Sequence, residues 1–99
     1  MNTIDILEEA LQLASVSGWQ VRHEWLGGAS GGRCRLGRVH ILFVDRSLTA
    51  QEQLDQVLQG LRDQLDLAVR DDPFTVQFIE CLGGVELSPE LRRCLALSA

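Results

Sequence analysis

Ninety-nine residues, 45% hydrophobic and 23% charged, are enough for one globular domain with a core of one sheet and a few helices. The net charge of −5 argues against general nucleic-acid binding, and the composition is not that of a disordered chain. The apolar run Ile41–Val44 falls far short of a membrane span.

The spacing of Ile4, Leu7, Leu11 and Ala14 predicts a first helix over about residues 3–16, with one stripe turned to a core. Asn2 or Thr3 caps it, Asp5, Glu8 and Glu9 sit near the positive end of its dipole, and Gly18 stops it. Residues 19–26 switch to a period of two. Trp19, Val21, His23 and Trp25 point one way and Gln20, Arg22, Glu24 and Leu26 the other, which predicts a half-buried strand with both tryptophans in the core. Gly27-Gly28-Ala29-Ser30-Gly31-Gly32 then admits almost any turn geometry. A strand resumes over Arg33–Leu36, with Cys34 and Leu36 on one face and Arg33 and Arg35 on the other. Gly37-Arg38 reads as a tight turn. Val39–Val44 is apolar on both faces except for His40, which predicts a central or doubly covered strand.

Thr49-Ala50-Gln51-Glu52 is a capping box, and Leu54, Val57, Leu58, Leu61, Leu65 and Ala68 carry a helical stripe to about residue 69. Gly60, inside this helix, costs about 1 kcal/mol relative to alanine, and close approach to the sheet would justify it. Asp72-Pro73 starts a further helix in which Phe74, Phe78, Cys81 and Leu82 share a face; a strand over Thr75–Ile79 is the rival reading. Ser88-Pro89-Glu90 opens a last short helix with Leu91, Cys94 and Leu95 inward. The expected fold class is α+β in two layers: an N-terminal helix, a three-stranded antiparallel meander, a long helix, then one or two short C-terminal helices, all packed on one sheet face.

Charge is unevenly spread. Residues 19–46 hold five arginines (Arg22, Arg33, Arg35, Arg38, Arg46) against two acids (Glu24, Asp45), while the rest holds four arginines against twelve acids. There is no lysine. Arg22, Arg33 and Arg35 are expected on one side of the sheet, where guanidinium forks could grip carboxylates or phosphates. Pairing with Glu24 or the acidic helices is the structural alternative. Gly31, Gly32 and Arg33 could likewise hold a small anion through a glycine nest, although the chain lacks the lysine and the following helix of a P-loop. A plain hairpin tip is the simpler reading of this loop.

The odd number of cysteines, Cys34, Cys81 and Cys94, fits neither a disulfide scaffold nor a CxxC metal pair, and each is expected to be a reduced, small buried residue. The start of the chain lacks the basic region and apolar block of a signal peptide, so a cytoplasmic location is expected. His23, Cys34 and His40 would fall on neighbouring strands, where a three-ligand zinc site is conceivable, but a tryptophan-packed or hydrogen-bonded histidine is the simpler reading and no metal or cofactor is expected. Cys34 with His40 or His23 would also be the one nucleophile and base on offer, but the alternation turns Cys34 away from Arg33 and Arg35.

Residues 27–45 resemble small uncharacterised bacterial proteins that carry a Gly-Gly-x-Cys-x-Leu hairpin, an apolar strand ending in aspartate and a glutamine-rich helix. The similarity covers residues 27 to 65 and implies no activity. The element order is also similar to the core of zincin-type peptidases, but Leu54-Asp55-Gln56-Val57-Leu58-Gln59 stands where that family has HExxH, so peptidase activity does not carry over. The expected function is a non-catalytic protein-binding or assembly module that works through the arginine-rich sheet face, with a protein partner or a second copy, and without nucleic acid or membrane. A cysteine-dependent enzyme, or an anion-binding domain using Gly27–Gly32, is the alternative.

Overall fold

Asn2 accepts a hydrogen bond from the Asp5 amide (2.9 Å) and so starts α1, Thr3–Val16, where the sequence places it. This computed structural model describes residues 2–28, 32–66 and 73–95. Along the chain follow β1 (Gln20–Glu24), β2 (Gly32–Leu36), β3 (Val39–Asp45), α2 (Ala50–Asp66), α3 (Pro73–Gly84) and α4 (Pro89–Cys94). The fold is α+β, with α1 over β1 and α2 over β2 and β3. Residues 73–84 are helical, which decides against the strand reading. No helix among the described residues is long and apolar enough to cross a membrane.

The sheet departs from the expected meander. Its order is β1-β3-β2, with β1 parallel to β3 (Val21 opposite Leu42) and β2 antiparallel to β3 (Cys34 opposite Ile41). A β3 strand that is apolar on both faces does take the centre, as its composition demands. The two edge strands lie about 10 Å apart, two strand spacings, on either side of β3, with residues 25–31 between them in sequence. A glycine-rich loop of that length does not force its flanking strands to pair. The two-residue turn Gly37-Arg38 does, and Gly37 adopts the positive φ of 61° that such a turn requires.

Leu7, Ala10, Leu13 and Ala14 of α1 and Leu54, Val57, Leu58 and Leu61 of α2 meet Val44 and Leu42 of β3 in the core. Phe78 of α3 and Leu91 of α4 join them. Ile4, expected on the buried stripe of α1, is exposed. Trp19 is buried, edge-on to Phe74 and Phe78 at 4.9 Å centroid separation. Trp25 is 74% exposed, against expectation, because β1 ends at Glu24 and the chain turns before Trp25 can continue the alternation.

Gly60 fulfils the role read from sequence. A Cβ there would stand 2.8 Å from Leu42 Cδ1 and 4.0 Å from the Arg33 amide nitrogen, so a side chain at this position would crowd the sheet. The capping box forms as read: the Glu52 amide donates to Thr49 Oγ1 (3.2 Å) and the Thr49 amide to Glu52 Oε1 (3.0 Å). The Thr49 amide, and then its hydroxyl, hold the Glu52 carboxyl below its ordinary pKa. Thr49→Ala is expected to cost about 1 kcal/mol, read as a lowered urea midpoint with an unchanged slope. An unchanged midpoint would mean that α2 does not depend on its cap. Ser88 caps α4, and its amide and hydroxyl both bind the Glu9 carboxylate, which ties the last helix to the first.

Candidate functional site

Residues directly opposite one another across a sheet share a face. The register therefore sorts every strand residue singled out from the sequence. Val21, Leu42 and Arg33 form one row on the helix side, with His23 beside Val44, and Arg35 beside His40, on the same side. The other face carries Gln20, Ile41 and Cys34 in one row, Arg22, Phe43 and Gly32 in the next, and Leu36 beside Val39. Arg22 thus stands on the side of the sheet opposite Arg33 and Arg35. The expected three-arginine face is divided between the two surfaces.

Among the described residues, no helix packs on the second face. Phe43 lies outside the core cluster despite its apolar side chain, and so does Ile41, although Ile41 is buried. Leu36 and Val39 are 60% and 46% exposed, and Cys34 is exposed. Arg22 reaches Glu24 in an ion pair of 2.8 Å and holds its guanidinium 5.7 Å from the centre of the Phe43 ring. Both partners of that pair are wet, so it contributes at most about 1 kcal/mol. The result is an apolar patch of Phe43, Leu36 and Val39, edged by one arginine.

On the helix side Arg33 donates to Gln64 Oε1 (3.4 Å), and Gln64 Nε2 donates to Thr75 Oγ1. Gln64 and Thr75 are buried, so this polar chain joins the β2 edge to α2 and α3. Arg35 turns back on the hairpin, its Nε 2.8 Å from the Gly37 carbonyl. The His40 ring stacks flat on Phe74 at 3.6 Å. His23 is exposed near the far end of the same side.

This arrangement bears directly on the proposed chemistries. Cys34 stands on the uncovered face and both histidines on the helix side, so the sheet separates the thiol from either base. The same separation keeps His23, Cys34 and His40 from sharing a metal, and no metal-holding group of three is present among the described residues. The cysteines are less buried than expected: Cys81 and Cys94 are half-covered and Cys34 is open, because it falls on the face without helices.

No family model matches this chain, and no curated protein or solved structure matches it either.

The feature that sequence reasoning did not single out is Asp45. Its buried carboxylate accepts from the Leu26 amide (3.0 Å), the Gly28 amide (2.8 Å), the Ser47 amide (2.9 Å) and the Ser47 hydroxyl (2.6 Å). Burial alone would raise its pKa. The Ser47 hydroxyl and the amides of Ser47, Leu26 and Gly28 outweigh burial and lower it from 3.8 to about 2. The first part of the glycine loop therefore does hold an anion, and that anion is the chain's own. Gly32 adopts a φ of 102° at the start of β2, while Gly31 lies outside the described residues.

Proposed function

We propose that this chain is a non-catalytic protein-binding or assembly module whose contact surface is the uncovered side of the sheet and the adjoining β2 strand. The supporting observation is a sheet face on which Leu36 and Val39 are exposed and Phe43 is half-buried outside the core, with no helix over it among the described residues. Exposed apolar surface edged by arginine is the composition of protein contacts. Arg22 supplies the charged member on the face, and Arg33 and Arg35 supply the charge along the β2 side. In this reading the partner is another protein or a second copy, the location is the cytoplasm, and no cofactor is needed. The net charge of −5 weighs against nucleic acid.

The decisive comparison is wild type against Leu36→Asp/Val39→Lys, which places opposite rather than like charges across the hairpin pair. Both positions are exposed, so the variant should keep its melting temperature. Self-association in sedimentation, or a partner captured from lysate of the source cells, should be present for wild type and lost for this folded variant. Identical recovery with the two proteins would remove the uncovered face from consideration.

A further inference from the structure

The outer edge of β2 has a backbone left to pair. Leu36 and Val39 close a two-residue turn, so they form a hydrogen-bonded pair, and the alternation makes Cys34–Ile41 and Gly32–Phe43 the next ones. The amide and carbonyl groups of Arg33 and Arg35 therefore point away from β3. Neither residue's backbone has a hydrogen-bond partner among the described residues, and Arg33 to Leu36 are all exposed. Such a row of four groups is a template for an added strand.

The charges along that edge choose the occupant. Arg33, Arg35 and Arg38 have no carboxylate partner among the described residues, where Arg22–Glu24 is the one ion pair. Near Gly60, which faces the Arg33 amide, Asp63 of α2 already accepts from Gln59 Nε2 at 2.7 Å. A second copy paired about Cys34 would set Arg33 against its partner's Arg35, and like charges placed directly opposite destabilise a strand pair. An incoming strand with acids two residues apart meets both arginines on one face.

We propose that the β2 edge binds an extended acidic segment of another protein by strand addition, with carboxylates at alternate positions opposite Arg33 and Arg35. This rests on the reading of the chain as a binding module and specifies its partner. The probe is a synthetic eight-residue peptide of alternating glutamate and threonine, with a lysine–threonine peptide as control, titrated into the full chain and followed by amide NMR.

The acidic peptide should protect the Arg33 and Arg35 amides from exchange, and the lysine peptide should not. Arg33→Gln/Arg35→Gln should weaken binding about tenfold. Arg35→Pro removes the outward amide together with the guanidinium, at an edge position where proline is tolerated, and should weaken binding well beyond Arg33→Gln/Arg35→Gln while the remaining spectrum stays dispersed. Equal binding of both peptides, undiminished binding by Arg33→Gln/Arg35→Gln, or no binding of the acidic peptide overturns the proposal. Shifts confined to Leu36, Val39 and Phe43 also overturn it, but leave the binding-module reading intact. A β2-to-β2 dimer that excludes the peptide overturns it in favour of self-association.

Discussion

Asp45→Asn is expected to lower the melting temperature by roughly 10 °C at neutral pH and to free the loop that follows β1. The carboxylate accepts four hydrogen bonds from three residues, and two of these hold Leu26 and Gly28, in the segment between the two edge strands. Asparagine offers one carbonyl oxygen and turns an N–H₂ group toward donors. The sign of the pH dependence follows from the lowered pKa. With a folded value of about 2 against an ordinary 3.8, the unfolded chain takes up the proton first. This stabilisation is complete above about pH 5 and is lost as the pH falls toward 2. Urea midpoints of wild type and variant should therefore converge over that window. A gap that stays constant down to pH 2 would show that the charge of Asp45 contributes nothing.

Gly60→Ala should destabilise the fold although it improves the helix. Alanine gains about 1 kcal/mol in propensity. Its Cβ, however, would meet Leu42 Cδ1 at 2.8 Å, and Leu42 is fully buried within the core cluster. Overpacking of this kind costs about 1–3 kcal/mol, which exceeds the gain. Leu42→Ala alone should cost about 3 kcal/mol through the cavity it leaves. Combined, the two changes should cost about 1 kcal/mol less than their sum, because the new methyl occupies part of that cavity. Strict additivity in chemical denaturation, or a stabilised Gly60→Ala, would show that α2 has room to move off the sheet.

The helices were legible because their signals are local. Asn2, the Thr49–Glu52 box and Ser88-Pro89 each act within one turn, and each sits where its pattern places it. The strand segments were legible for the same reason, as was the placement of Cys34 opposite Arg33 and Arg35. Strand order was not. Pairing β1 with β3 joins residues such as Val21 and Leu42 across an intervening strand, and no local pattern encodes that choice. The phase between strands then decided the arginines. Arg22 shares its row with Phe43 and Gly32, one row away from Arg33, and a shift of one row exchanges the faces. Asp45 did leave a trace: an aspartate two residues before Ser47, at the end of an apolar strand, is an Asx-turn pattern that holds a loop.

The order β1-β3-β2 also sets a sequence of events for the folding chain. The β2–β3 hairpin closes over two residues and can form within microseconds, whereas β1 has no strand to join until β3 exists. During synthesis β1 leaves the ribosome first and pairs last among the three. Until then its neighbour in the chain is α1, so the docking of that helix–strand unit onto a preformed hairpin, the longest-range strand pairing of the sheet, is the step expected to be slowest.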